Sequence, residues 1–261
     1  MSLRFVQITD HHLTEGDLLR GYSTEHALRT VLRHIAETAG PIDFIVSTGD
    51  LVQNGSVTEY RRFLELLGAE PSGRFPGPLI AYGQGLPGIP CYLLPGNHDL
   101  RPTMLSSLFP ASPPAERLND WFDHDGLRFI CVDWGGENKA QATPELWDVL
   151  ERGLDGRPAV ILMHHHVTPM GHPRLDTMIA DDVADFGARI AGRGVVAILS
   201  GHSHATFERE LAGVPVWGLR STCFQFVPIE GPTLCCLLPP HYRIMTLEDG
   251  VLHSTIVEVA L

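Results

Sequence analysis

Five short polar blocks interrupt the chain, each placed where an apolar run gives out: Asp10-His11-His12, Gly49-Asp50, Gly96-Asn97-His98-Asp99, Met163-His164-His165 and Gly201-His202-Ser203-His204. Together they offer carboxylates, imidazoles and one amide, without a thiolate. Mixed oxygen and nitrogen donors of this kind suit two adjacent divalent ions such as Mn, Fe, Zn or Co rather than Cu(I), and the imidazoles argue against Mg or Ca alone. Taken singly, each block is an ordinary polar turn. Their succession is what argues for a site, because chance would otherwise have to put Asp, His, Asp, Asn, His and His-x-His at consecutive strand ends. Residues two apart in an extended segment point to the same side, so Asp10 and His12 could grip one ion, and His202 and His204 share that spacing.

Side chains so far apart in sequence meet only if a scaffold brings their loops together. Strand ends along one edge of an α/β sheet do this. Leu3 to Thr9, Phe44 to Val46, Pro90 to Leu94, Val160 to Met163 and Val195 to Ser200 are the apolar runs that lead into the five blocks. Helical spacing of Ala27, Leu28, Val31, Leu32, Ile35 and Ala36 predicts a helix capped at Ser23 or Thr24. A second helix follows Gly55, with Tyr60, Phe63, Leu64 and Leu67 inward. Gly and Pro crowd residues 71–90, which reads as a long loop. Asp123-His124-Asp125-Gly126 joins Trp121–Phe122 to Leu127–Val132 as a hairpin. Thr143-Pro144-Glu145 starts a further helix, and another is expected around Asp182 to Ala191. From about residue 205 the period becomes two, through Thr206–Leu211, Val214–Gly218, Leu234–Leu238, Tyr242–Leu247 and Val251–Val259. The sum is an α/β chain, α+β in part: a single domain over 1–261 with a two-sheet, sandwich-like core flanked by helices and a β-rich C-terminal segment.

Bulk properties narrow the function. The chain has 261 residues, 44% of them hydrophobic, and a formal net charge of −12. That length is enough for a well-buried core. So acidic a chain repels polyphosphate backbones at long range and shows no basic tract, which argues against a nucleic-acid polymer as partner. No apolar run approaches the ~20 residues of a membrane helix. No signal peptide is visible, and the five cysteines lack a CxxC spacing, so reduced thiols in a cytoplasmic protein are expected.

With Asp-x-His, Gly-Asp, Gly-Asn-His-Asp, His and Gly-His-x-His in that order, the chain resembles the calcineurin-like metallophosphoesterase superfamily. The resemblance runs from about Arg4 to about Gln225 and is strongest to the class III cyclic-nucleotide phosphodiesterase and glycerophosphodiesterase-like branch. Thr48-Gly49-Asp50-Leu51, Glu59-Tyr60 and Pro215 followed by Ser221-Thr222 also resemble that branch. The resemblance implies the four-layer metallophosphoesterase fold. It implies that Asp10, His12 and His204 bind one metal, that Asn97, His164 and His202 bind the other, and that Asp50 bridges both. It leaves His98 unligated over the scissile phosphate, with Asp99 as the residue that could orient its ring. The branch's His-His-Pro-Pro is replaced here by His164-His165-His166-Val167-Thr168-Pro169, which keeps the ligand and alters the adjacent loop.

The implied activity is hydrolysis of a small phosphodiester, a cyclic nucleotide or glycerophosphodiester, by a hydroxide held between the two ions. A metal brings the pKa of water from 15.7 to roughly 7 and neutralises the charge that develops on phosphorus. A phosphomonoesterase or nucleotide pyrophosphohydrolase would use the same core, whereas a metal-free interaction scaffold would not need an intact ligand set. Pocket walls are expected from the loops Thr14 to Tyr22, Glu70 to Pro90 and Thr168 to Asp176, with Arg20, Tyr22 and Arg174 available to a leaving group. Family resemblance also implies a homo-oligomer, a dimer, to which the β-rich C-terminal segment could supply the contact.

Overall fold

A computed structural model of the chain describes residues 3–16, 18–227 and 235–261. Two mixed sheets lie face to face. In the first, β1 (Leu3–Ile8), β2 (Phe44–Ser47), β3 (Leu79–Ala81), β4 (Ile89–Leu93), β13 (His241–Glu248) and β14 (Val251–Glu258) run in the order β14-β13-β1-β2-β4-β3. In the second, β5 (Asp120–His124), β6 (Leu127–Val132), β7 (Ala159–Met163), β8 (Val195–Ser200), β9 (Phe207–Leu211) and β10 (Val214–Gly218) run in the order β5-β6-β7-β8-β10-β9. A short ribbon, β11 (Gln225–Phe226) with β12 (Cys235–Cys236), completes the strands among the described residues.

The central strands are buried on both faces, so the strand period of two divides their residues between two cores. Phe5, Phe44, Val46, Val160, Leu162, Ala197 and Leu199 fill the space between the sheets. Val6, Ile8 and Ile45 point the other way, toward α1 (Thr24–Thr38), α2 (Val57–Leu67) and α3 (Arg101–Leu108). Ile161, Met163 and Ile198 face α4 (Pro144–Gly153) and α5 (Val183–Ile190). Helices, sheet, sheet and helices thus make four layers.

The helix starts follow from local chemistry. Ser23 accepts from the His26 amide at the head of α1. Ser56 and Glu59 form a reciprocal capping box on α2, which ends in left-handed Gly68. Thr143 caps α4, with Pro144 in its first turn. Two elements differ from the sequence expectation. Residues 71–90 are not one loop, because Leu79–Ala81 pair antiparallel with β4 as β3. Residues 101–108, where no helix was expected, form α3. Its cap, Leu100, has no side-chain hydrogen bond, and its buried side includes a charged residue, Arg101. Within the expected strand Leu234–Leu238, Cys235–Cys236 are strand and Leu234 lies outside the described residues.

What matters for the site is direction. Strands β1, β2 and β4 are mutually parallel in one sheet, and β7 and β8 are parallel in the other. Each of the five polar blocks follows the carboxyl end of one of these strands, so the topology gathers the blocks along one rim.

Candidate metal centre

The loops at that rim are stitched by backbone. The Asp10 amide donates to the Gly49 carbonyl at 3.0 Å, His12 to Asp50 at 2.9 Å and Gly201 to His164 at 2.9 Å. The Asp10-x-His12 segment is not extended, as the spacing argument assumed. Asp10, His12, Asp50, His202 and His204 all take left-handed φ values between 47° and 66°. They are five of the ten non-glycine residues that do so among the described residues. Asp and His tolerate this region better than most, and each such residue still stores roughly 1–3 kcal/mol that the surroundings must hold. The side chains share a side because each chain coils tightly, rather than because it alternates. Close approach also requires two glycines. A Cβ on Gly49, whose φ is +98°, would sit 2.6 Å from His164 Nδ1, and one on Gly96 would run into the Asp50 carboxylate.

All seven metal-ligand candidates come together. His12 Nε2 lies 3.1 Å from His204 Nε2, and His204 Nε2 lies 3.4 Å from Asp10 Oδ1. On the other side, Asn97 Oδ1 lies 3.1 Å from His164 Nε2 and 2.9 Å from His202 Nδ1. Asp50 stands between the two groups: its Oδ2 is 3.4 Å from His12 Nε2 and 3.3 Å from His164 Nε2, while its Oδ1 accepts the His98 amide at 2.8 Å. All but Asn97 are buried.

Which ring nitrogen faces inward is set from outside. His204 Nδ1 donates to the Phe224 carbonyl at 2.6 Å and His164 Nδ1 to the Thr48 carbonyl at 2.9 Å. His12 Nδ1 meets Gln53 Oε1 at 2.9 Å. With the protons on Nδ1, the Nε2 lone pairs point at one another and at carboxylate and amide oxygens. Such a convergence of acceptors is repulsive unless cations sit among them, and outward Nδ1–H bonds of this kind are what orient metal-binding histidines. The donor set therefore fits a pair of divalent ions. Burial drives His12 down to about 3, leaving it neutral with its lone pair available. Burial also opposes charge on His164, yet the Asp50 carboxylate outweighs it and lifts the ring to about 9. Burial likewise works to raise Asp50, but His164 and His12 hold it well below the usual carboxylate range. The Asp50 carboxylate thus favours positive charge beside His164 Nε2, the place a divalent cation would take.

His98 sits beside this pair, half-buried, its ring 4.8 Å from that of His12. Its Nδ1 donates to the Gln53 carbonyl at 2.8 Å. Its position also groups it with His12 and Asp50 as ring and carboxylate donors within 4.8 Å of one another. Asp99 turns elsewhere. Its carboxylate accepts from the Leu51 and Gly96 amides at 3.1 and 2.8 Å and from the Tyr60 hydroxyl at 2.9 Å. Burial, helped by Asp50, raises it to about 6. Asp99 thus shapes the Gly96–Asp99 turn, and Gln53 is the residue that orients the His98 ring.

His165 and His166 are both buried. His165 Nε2 meets the Glu137 carbonyl at 2.8 Å, and the His166 ring stacks on that of His202 at 5.7 Å.

A cavity of about 130 Å³ opens onto the cluster, with Arg20, Arg174, Asn138, Met178 and Phe226 adding to its walls. Arg20 and Arg174 were visible in the sequence. Asn138, Met178, Phe226 and Gln53 were not, because no motif marks them. Tyr22 stacks on Phe224 behind the wall. Residues 70–90 contribute nothing to this lining, since β3 carries them to the far edge of the first sheet. A larger groove of about 680 Å³, lined by Arg61, Leu64 and Glu65 of α2, contains none of the cluster.

A buried ion pair that the sequence did not signal braces the rim. Arg101 donates to both oxygens of Asp133, at 3.0 and 2.6 Å, and to the carbonyls of Gly96, Asp99 and Gly135, each at 2.8 Å.

Two face-to-face mixed sheets with a two-centre cluster of Asp, His and Asn at their shared rim define a metallophosphoesterase architecture. The calcineurin-like phosphoesterase profile matches residues 3–206, and the chain belongs to that family. It is 29% identical to the 3',5'-cyclic adenosine monophosphate phosphodiesterase CpdA of Pseudomonas aeruginosa, over 99% of this chain and 90% of that one. The enzyme of the same name from Escherichia coli K12 is also 29% identical, with the same coverage. A cAMP/cGMP dual specificity phosphodiesterase of Mycobacterium tuberculosis is 28% identical over 84% of this chain and 67% of that protein. The fold is shared with a dimetal phosphatase from Danio rerio, at a TM-score of 0.61 and 12% identity over 99% of each chain. It is shared too with the purple acid phosphatase PPD1 of yellow lupin, at a TM-score of 0.67 and 14% identity. The match to PPD1 covers 99% of this chain and 52% of the lupin chain.

Proposed function

We propose that this protein is a metal-dependent phosphodiesterase acting on a small phosphodiester, a 3',5'-cyclic nucleotide in first place. Asp10, His12 and His204 would hold one divalent ion, Asn97, His164 and His202 the other, with Asp50 shared. Bound there, Mn, Fe, Zn or Co ions would supply an activated water and charge neutralisation at phosphorus. The chain's own groups do the rest. With its Nδ1–H held by the Gln53 carbonyl, His98 faces the cavity with Nε2, the atom from which a proton can reach the leaving oxygen. Arg20 and Arg174 offset the negative charge of the diester at the mouth of an otherwise acidic protein. The carrying observation is the inward convergence of the His12, His164 and His204 Nε2 atoms around the Asp10 and Asp50 carboxylates.

We read residues 1–261 as one domain, since strands from both ends of the chain share a sheet. We place it in the cytoplasm, where the five free cysteines stay reduced. No helix among the described residues is long and apolar enough to cross a membrane. We expect a homodimer through the edge strand β14.

The test is a substrate panel with Mn-, Fe-, Zn- and Co-loaded protein. The proposal expects turnover of 3',5'-cyclic AMP or a glycerophosphodiester above that of p-nitrophenyl phosphate. Turnover of the monoester or of a nucleoside diphosphate alone would refute it and assign a phosphomonoesterase or pyrophosphohydrolase. Protein that binds no stoichiometric metal would be a scaffold.

A further inference from the structure

The cavity over the cluster holds about 130 Å³. Pockets that enclose whole organic ligands run to about 300–1,000 Å³. The reaction chamber is therefore smaller than one that would enclose a whole nucleotide. A second cleft of about 610 Å³ lies against it, and His204 and Phe226 belong to the walls of both. Its lining combines the apolar side chains of Met170, Phe207 and Leu238 with Thr206 and the charged Glu208, Arg209 and Arg220, of which Arg209 donates to the Glu208 carbonyl at 2.8 Å. Phe226 is half-buried, and its ring packs on the His204 ring at 4.4 Å with 29° between planes. It thus belongs to the wall that the two chambers share, fixed on one side by a cluster histidine.

Arg220 is already committed. Its guanidinium contacts the Pro239 carbonyl at 3.2 Å and His241 Nε2 at 3.0 Å, and it pairs with Glu258. The cleft therefore does not present Arg220 as an anchor for a second phosphate. Its chemistry favours a flat, uncharged, aromatic group held by ring and thioether contacts.

Resting on the phosphodiesterase reading, we propose that this cleft is the subsite for the substrate's base, and that Phe226 in the shared wall sets the preference for nucleoside diesters over small alkyl diesters. With the phosphoryl group in the inner chamber, the base passes Phe226 and lies against Met170 and Leu238. Glycerol-type esters gain nothing from the cleft.

The experiment compares metal-loaded wild type, Phe226→Ala, Phe226→Tyr and Leu238→Asp on 3',5'-cyclic AMP and on glycerophosphoethanolamine. It also measures calorimetric binding of the product 5'-AMP and of inorganic phosphate. Phe226→Ala is expected to lower kcat/KM for cyclic AMP at least tenfold more than for the alkyl diester, and to weaken AMP binding at least tenfold more than phosphate binding. Phe226→Tyr keeps the wild-type preference. Leu238→Asp, at a residue that lines the cleft but not the inner cavity, raises KM for cyclic AMP more than it lowers kcat. An equal loss on both substrates in Phe226→Ala would mean a packing defect at His204, and that result, or unchanged AMP binding, overturns the subsite alone. Metal-loaded wild type inert on both diesters overturns the phosphodiesterase reading and the subsite with it.

Discussion

Removing the Arg101 guanidinium tests how the rim is held. Arg101→Met keeps most of the side-chain volume but deletes all five of its hydrogen bonds. Asp133 would be left buried, with the Leu118 and Gly135 amides still donating to it. Breaking a buried pair from one side costs about 3–5 kcal/mol, because the remaining charge stays out of water. For a chain of this size that corresponds to a fall in Tm of roughly 6–20 °C. Burial works to raise the Asp133 carboxyl, but Arg101 holds it below the usual carboxylate range. In the wild type its contribution is therefore complete above its unfolded pKa of ~3.9 and is lost as pH falls through the depressed folded value. In the variant the uncompensated carboxylate titrates upward, so the deficit is largest at neutral pH and shrinks on acidification. Arg101→Met/Asp133→Leu, which removes both charges, should recover at least half the loss. Urea unfolding monitored from pH 7 to pH 4 reads the variant's deficit and its decline on acidification. A deficit under 1 kcal/mol at pH 7, or one that grows as pH falls, would refute the reasoning.

Two further outcomes separate the roles of the cluster residues. Asp50→Ala should release both ions, since its carboxylate faces a histidine of each group; two tightly bound metals in that variant, measured by elemental analysis, would contradict the shared position. His98→Ala should lower kcat by ~10²–10⁴-fold with metal content near wild type; loss of both metals would show that its ring is a ligand.

Much of the fold was legible because the strong signals were local. The strands feeding the five blocks are short apolar runs bounded by glycine or polar residues, and α1, α2 and α4 carry caps within a few residues of their apolar faces. Helix α3 was missed because it has no such cap, and a charged residue, Arg101, lies on its buried side. Strand β3 was missed because three residues among glycines and prolines give no period. Residue types and order marked out the ligand candidates, but the stated reason for their shared direction was wrong, since left-handed backbone at Asp10, His12, His202 and His204 is imposed by the neighbouring loops. The resemblance named Asp99 as the residue that could orient the His98 ring, but its carboxylate is taken up by the Leu51 and Gly96 amides and the Tyr60 hydroxyl. The Gln53 carbonyl orients that ring instead, reached through a fold contact that spacing does not encode. The outer partners Phe224, Thr48 and Gln53 were equally invisible, because two act through their backbone carbonyls and Gln53 through both backbone and side chain.

Anomalous diffraction from crystals of Mn-loaded protein addresses the shared-carboxylate centre most directly. Two peaks per chain are expected about 3.5–4 Å apart, one ringed by Asp10, His12 and His204, the other by Asn97, His164 and His202, with Asp50 touching both. A lone peak, or a pair that Asp50 does not join, would contradict the account.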